Sequence, residues 1–231
     1  MQSWLEFWSG KHKIYVNDRH LQAHYRRIAD DLLALLPRRD IDLLDWGCGS
    51  ALGAPLLSNQ GVRIALYDKA PSVQADLLRN FARETGIRVL DDAGLAALAP
   101  QSFDVVLINS VLQYLSQAEL RALLPQLVLL LRPGGRLLLA DIIPPDSGMA
   151  ADVAALLRSG WQHGYFLAAM ASLLATFFSD YRNLRQRLGL TTYRPDQILA
   201  LLGEFGLDSR QLPQNIGFSR HRLAFEGRKP G

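Results

Sequence analysis

Leu43-Leu44-Asp45-Trp46-Gly47-Cys48-Gly49-Ser50-Ala51 decides how the rest of the chain is read. An apolar run ends in an acid, and two glycines follow at alternate positions. The backbone must turn sharply there from a strand into a helix, and a residue without Cβ lets a ligand come close to it. The Asp45 carboxylate stands where it can accept hydrogen bonds from a cationic or N–H-bearing ligand. Taken alone, the Gly-x-Gly is equally a shape requirement of a strand-to-helix turn. What stands at fixed distances downstream separates the two.

Outward from that turn, strands and helices alternate. Asp18 caps a helix over 19–36, closed by Pro37. Strands are predicted over 41–46, 62–67, 87–90, 103–108 and 136–142. They are short apolar runs, as a parallel sheet buried on both faces requires. Helices fall between them: 51–58, a stretch opened by Pro71 and ended by Gly86, and one capped by Ser116 and Glu119 that reaches Leu131. Pro133-Gly134-Gly135 reads as a turn. After 147–190, which reads as mainly helical, Pro195 opens a helix ending near Gly206. Strands over 208–212 and 218–225 follow with too few residues between them for a crossover helix, so they pair as an antiparallel hairpin.

In a doubly wound sheet, ligands bind at the carboxyl ends of the strands. Four such ends carry suitable groups here: Asp45, Gly47 and Gly49; Asp68; Asp91-Asp92-Ala93; and Asn109-Ser110. Asp68 stands about twenty residues beyond the glycines, a spacing suited to a carboxylate that accepts both hydroxyls of a ribose. A nicotinamide dinucleotide needs a third glycine near position 52, and Gly53 is one place off. A diphosphate would also be repelled by Asp45, Asp68 and Asp92. These acids suit a ligand with an amine, a ribose and an adenine. S-adenosylmethionine has those parts and a sulfonium besides.

With these residues in place, the chain resembles the class I S-adenosylmethionine-dependent methyltransferases, of the small-molecule type. Asp45 to Ala51 is similar to the first motif of the family, with Ala51 where a third glycine is usual. Tyr67-Asp68, Asp92-Ala93, 103–110 and 131–137 resemble the later motifs, in order and at the right spacing over 40–141. The resemblance implies a Rossmann-like, doubly wound α/β sheet of seven strands, mostly parallel with an antiparallel last strand, plus a helical cap. It implies S-adenosyl-L-methionine as cofactor. Gly47 and Gly49 would approach its methionyl part, with Cys48 a small residue of the turn, and Asp45 would help hold the amine. Asp68 would accept the ribose hydroxyls with Lys69 beside it. Asp92 would receive the adenine amine and the Ala93 N–H a ring nitrogen. Asn109, next to Ser110, would offer its backbone carbonyl near the amine.

One domain is expected over 1–231: a helical lid (1–39), the cofactor-binding core (40–146), a cap insertion (147–190) and a C-terminal helix and hairpin (191–231). Tyr15 and His20 are the lid residues expected to reach the methionyl carboxylate. Residues 159–179 carry no formal charge if His163 is neutral, and 165–178 are almost wholly apolar. About fourteen strongly apolar residues are short of a membrane span. A cap over the substrate ranks first for this segment, a homodimer interface second and membrane contact third. A cap this apolar suggests a lipophilic or aromatic acceptor.

Methyl transfer from a sulfonium needs positioning and exclusion of water, and a general base only when the acceptor must lose a proton. Asp141 and His163 are the candidates. Three functions compete: methylation of a small molecule on oxygen or nitrogen, methylation of RNA or protein, and cofactor binding without catalysis. The net charge of +3 is spread along the chain with no dense basic patch, which argues against a nucleic-acid partner. No metal site is expected. A single cysteine and the lack of a signal peptide fit a cytoplasmic setting.

Overall fold

A computed structural model describes residues 18–36, 38–146, 157, 158, 161 and 189–231. The lid residue Tyr15, the cap residue His163 and almost all of 147–188 lie outside the described residues, as does Pro37. In chain order the elements are α1 (Asp18–Leu35), β1 (Ile41–Trp46), α2 (Ala54–Ser58), β2 (Val62–Tyr67), α3 (Pro71–Phe81), β3 (Ile87–Leu90) and α4 (Asp92–Ala96). Then come β4 (Phe103–Asn109), a 3-10 turn (Leu112–Tyr114), α5 (Gln117–Leu130), β5 (Leu131–Ile142), α6 (Pro195–Glu204), β6 (Asp208–Gln211) and β7 (Leu223–Arg228).

The seven strands form one sheet in the order β3-β2-β1-β4-β5-β7-β6. The order reverses between β1 and β4, which places a crevice at their carboxyl ends. The pairs among β1 to β5 are parallel, and β7 runs antiparallel to both β5 and β6. The expected hairpin is therefore present, with its second strand inserted beside β5.

Alternate residues of the central strands feed two apolar layers, because successive side chains point to opposite faces. Leu43, Leu66 and Leu107 face Leu32, Leu57, Leu77 and Phe81 from α1, α2 and α3. Leu44, Val106, Leu139 and Phe225 face Leu120, Leu124, Ile198 and Leu202 from α5 and α6. The capping box that opens α5 is formed, with Ser116 Oγ accepting from the Glu119 N–H at 3.2 Å.

Several boundaries differ from expectation. The helix α2 starts at Ala54, not Ala51, because Ala51 adopts a left-handed φ of 46° that a helix cannot hold. The helix α3 ends at Phe81, and Gly86, with φ 81°, makes the turn into β3 instead. The short helix α4 was not foreseen. The strand β5 begins at Leu131 and runs through Pro133-Gly134-Gly135, since Gly134 and Gly135 pair with the chain beyond β7. The last strand is β7 at 223–228, later than 218–225.

At the amino ends of the strands, arginines and aspartates interleave. Asp104 accepts from the Asp42 N–H at 2.9 Å, from Arg38 at 2.9 Å and from Arg132 at 2.6 Å. Asp42 accepts from Arg63 at 2.7 Å, and Arg63 also pairs with Asp40. Removing the shared acceptor leaves a partly buried N–H and Arg132 short of a partner. We expect Asp104→Ala to lower unfolding stability by about 1–3 kcal/mol. Urea denaturation checks this, and a loss below about 0.5 kcal/mol would show the ladder to be an exposed ion pair of no consequence.

Candidate active site

The chain leaves β1 at Trp46 level with Tyr67 of β2. The N–H groups of Gly47 and Cys48 both donate to the Tyr67 carbonyl, at 2.7 and 3.1 Å, so the glycine loop is stitched to the neighbouring strand. Gly47 and Gly49 have φ of 78° and 57°. A Cβ at Gly47 would lie 2.5 Å from Val111 Cγ2, and one at Gly49 2.7 Å from Tyr25 Oη. Both glycines therefore answer to conformation and to close packing. Cys48 is buried, and burial followed by the charges of Asp45 and Asp68 pushes its thiol well up. A thiol held in that form is not a nucleophile.

Two acids share the far side of this loop. Asp68 accepts from the Gly49 N–H at 3.0 Å through one oxygen and from the Ala70 N–H at 2.9 Å through the other. Burial raises its pKa, and these two bonds oppose the rise. Asp45 keeps part of its surface open. Burial of its carboxyl, then the charge of Asp68, pushes it up to about 7. Among the described residues neither acid forms an ion pair.

Farther along the edge, Asp92 accepts from Tyr67 Oη at 2.8 Å and from Lys69 Nζ at 2.6 Å, and the Lys69 bond holds its carboxyl below the usual range. Ala93 is the second residue of α4, where an N–H has no carbonyl of its own helix to reach. The Asp91 side chain takes the Gly94 N–H at 2.7 Å, which leaves that of Ala93 to a ligand. At the end of β4 the side-chain oxygen of Asn109 is buried with no partner among the described residues, as is Trp46 Nε1 at the end of β1.

The ends of β4 and β5 carry backbone strain. Ser110 and Asp141 have φ of 61° and 58°, and β5 is bulged between Leu139 and Ile142. Ser110 Oγ donates to Asp141 Oδ2 at 2.7 Å, and Asn215 Nδ2 donates to Asp141 Oδ1 at 3.3 Å. Asn215 Oδ1 accepts from the Asp141 N–H at 2.8 Å. The Asp141 carboxylate is thus aimed by both neighbouring segments. Non-glycine residues held at positive φ cluster at functional sites.

These loops, strand-end acids and orphaned polar atoms lie together at the carboxyl edge of the sheet. A methyltransferase-domain family model matches residues 18–212. The chain belongs to the class I S-adenosylmethionine-dependent methyltransferase family. Among solved structures, all of the chain overlays all of a chain from the complex between the Haloferax volcanii Trm112 methyltransferase activator and a methyltransferase, at TM-score 0.62 and 14% identity. The Burkholderia thailandensis 1,6-didemethyltoxoflavin-N1-methyltransferase, solved with S-adenosylhomocysteine, matches at TM-score 0.55 and 20% identity, over 91% of this chain and 80% of that one. An Aquifex aeolicus SAM-dependent methyltransferase matches at TM-score 0.56 and 13% identity, over 92% of each chain. Comparison with curated protein sequences finds no significant match.

The residues present fit the cofactor of this methyltransferase family, S-adenosylmethionine. An unpaired acid pair suits its ammonium and ribose, and the open Ala93 N–H and the orphaned Asn109 oxygen suit polar edges. A separate concavity of about 430 Å³ at the amino ends is lined by Asp42, Arg63, Phe103 and Arg132. Asp42, its one acid, is already paired with Arg63 and Arg132. Among the described residues no cluster of metal-ligating side chains occurs, and no helix is long and apolar enough to cross a membrane.

Sequence reading placed the lid contact at Tyr15 or His20. The loop contact that α1 provides is made by Tyr25. Its hydroxyl accepts from the Ser50 N–H at 2.9 Å and donates to the Cys48 carbonyl at 3.4 Å. Tyr25 is in phase with the buried Ile28, Ala29 and Leu32, and a polar tip on an apolar helix face signals a partner. His20 lies on the same helix and burial lowers its pKa; His24 is lowered to about 4, by burial first and then by His20. We expect Tyr25→Phe to weaken S-adenosylhomocysteine binding about three- to tenfold, since both loop hydrogen bonds of the hydroxyl are lost. Calorimetry measures it, and an unchanged affinity would show that the loop holds its shape without the hydroxyl.

Proposed function

We propose that the enzyme methylates oxygen or nitrogen of a small lipophilic or aromatic molecule in a cytoplasmic setting. The observation that carries the oxygen-or-nitrogen reading is the Asp141 carboxylate, strained in its backbone and fixed by Ser110 and Asn215. A positioned base is needed only when the acceptor must lose a proton. The size and lipophilicity of the acceptor rest on the apolar stretch 165–178, read from sequence.

S-adenosylmethionine supplies an electrophilic methyl group whose departing sulfur takes the bonding pair. The chain's own residues do the rest. Gly47 and Gly49 let the methionyl part approach the backbone, with Cys48 between them, and Asp45 pairs with its ammonium. Asp68 accepts the ribose hydroxyls through lone pairs left by its two N–H contacts, with Lys69 beside it. Asp92 and Ala93 meet the adenine edge, and Asn109 and Ser110 close the pocket from β4. Asp141 Oδ takes the proton of the acceptor as its oxygen or nitrogen attacks. His163 is the second candidate base, and Tyr15 and His20 are proposed for the lid.

Asp45 makes cofactor binding proton-linked. Its folded carboxyl keeps a proton to about 7 instead of the ordinary 3.8. In the free protein it therefore lowers stability progressively as pH rises from about 4 to about 7. A bound ammonium favours the carboxylate, so binding below pH 7 releases a proton. S-adenosylhomocysteine affinity should rise with pH up to about 7 and level off above it. Calorimetry at pH 6 in buffers of different ionisation heat reads the proton directly; no release would sink the contact between Asp45 and the amine.

The acceptor is found by incubating the protein with methyl-labelled cofactor and lipophilic phenols, amines and carboxylic acids. With a phenol or amine, we expect Asp141→Asn to lower kcat about a hundredfold or more while S-adenosylhomocysteine affinity changes little. Equal loss of both would mark Asp141 as structural. A second reading, a partner-dependent RNA or protein methyltransferase, is favoured by one observation: the full-length Haloferax overlay is to a chain held with an activator. Under that reading, label enters macromolecules only when a partner protein is added.

A further inference from the structure

Among the described residues, four buried side-chain polar atoms lack a hydrogen-bond partner: Trp46 Nε1, Asn109 Oδ1, Gln113 Oε1 and Tyr193 Oη. Each such atom has given up its bonds to water without replacement, so its survival calls for a reason. Trp46 and Asn109 stand at strand ends next to the glycine loop, and Asn109 already belongs to the proposed cofactor site. Gln113 and Tyr193 do not, and they are the more deeply buried, at 6% and 3% exposure. Other buried polar residues are satisfied. Glu226 meets Arg136 and Arg210, and Asn215 is bonded through both ends of its amide.

Backbone hydrogen bonds join the segments that carry Gln113 and Tyr193. Val111, two residues before Gln113, packs on Gly47 so closely that a Cβ there would stand 2.5 Å from its Cγ2. Thr191 donates its N–H to the Gln113 carbonyl at 3.0 Å and its hydroxyl to the Leu115 carbonyl at 2.7 Å. The Tyr193 N–H donates to the Ile143 carbonyl at 3.0 Å. Segment 189–193 is thus pinned across the ends of β4 and β5 by its backbone, and the two side-chain atoms are what remains unpaired. Around Tyr193 the surroundings are apolar, with Leu112 and Leu120 in the same cluster.

Resting on the reading of the enzyme as a small-molecule methyltransferase, we propose that Gln113 Oε1 and Tyr193 Oη form the polar end of the acceptor pocket. The acceptor they select presents a hydroxyl or an N–H besides the hydrogen that Asp141 removes, as an aromatic diol or a primary aromatic amine does. An amide oxygen only accepts, so it needs a hydrogen from the ligand. Burial, then the charge of Glu119, pushes the Tyr193 phenol up to about 12, which keeps it a neutral hydrogen-bonding group and not a base. A carboxylate acceptor has no hydrogen for Gln113 and meets the negative charge of Glu119. Carboxylic acids are therefore selected against.

The test uses Gln113→Leu and Tyr193→Phe in the full chain, with 2,3-dihydroxynaphthalene, 2-naphthylamine and 2-naphthoic acid as probes. Removing an orphaned atom leaves Tm unchanged or raised. S-adenosylhomocysteine affinity stays within about twofold, and kcat/KM for the diol or naphthylamine falls about tenfold, the loss of one hydrogen bond. A fall in Tm of several degrees in either variant overturns the proposal, because the atom then has a structural partner. So does unchanged kcat/KM in both, or a wild type that binds S-adenosylhomocysteine and methylates neither the diol nor naphthylamine. A wild type that fails to bind S-adenosylhomocysteine defeats the methyltransferase reading instead, and the two failures are thereby told apart.

Discussion

Everything at the carboxyl edge of the sheet depends on two carboxylates with no cation of their own among the described residues. The register of β1 against β2 sets Asp45 opposite Leu66, so Asp45 ends its strand beside the chain that leads to Asp68. Two like charges in a partly buried site disfavour each other's ionisation. The fold manages them unequally. Asp68 is given two backbone N–H donors, one of them from the glycine loop itself, while Asp45 is left to hold a proton. The Gly49 contact makes the loop's shape and the acid's position one feature. Tyr25 then braces the opposite side of the loop. The arrangement is complete only when a ligand brings positive charge and hydroxyls.

The sheet was legible because its strands are buried on both faces, which writes them as apolar runs. Where the expectation slipped, the deciding contacts are distant in sequence. Pro133-Gly134-Gly135 has the composition of a turn, yet Gly134 donates to the Lys229 carbonyl and Lys229 donates to that of Gly135, which extends β5 by pairing. The strand β7 holds Glu226, a residue that local reading puts at a strand end. It is buried there because Arg136 and Arg210 reach it from the strands on either side. Residues 213–222, read in part as strand, are instead the loop that carries Asn215 to Asp141.

The site divides along the same line. Asp45, Asp68, Asp92 and Asn109 could be read as a set because strand ends recur at regular intervals and each carries a polar residue. Their spacing in sequence is a direct consequence of the alternation of strands and helices. Tyr25, Asn215 and Gln113 carry no such mark. Asn215 reaches Asp141 only because β7 inserts beside β5, an outcome of the sheet order. Gln113 and Tyr193 are visible only once burial is known, since an unpaired polar atom is defined by surroundings that no local pattern records. Tyr25 is the intermediate case, a polar tip on an otherwise apolar helix stripe.

The two ends of the sheet use similar residues to opposite purpose. At the amino ends, Asp40, Asp42 and Asp104 are matched by Arg38, Arg63 and Arg132, and most of these pairs sit in partly exposed positions where each contributes little alone. Charge there is neutralised within the chain. At the carboxyl ends, Asp45 and Asp68 have no such partner among the described residues, and the backbone of Ser110 and Asp141 is held in a conformation that costs energy. The arginines that answer Asp42 have no counterpart beside Asp68 among the described residues, a balance that the proposed ammonium and sulfonium would complete. The charge asymmetry between the two ends separates the scaffold from the reaction site without recourse to any single motif.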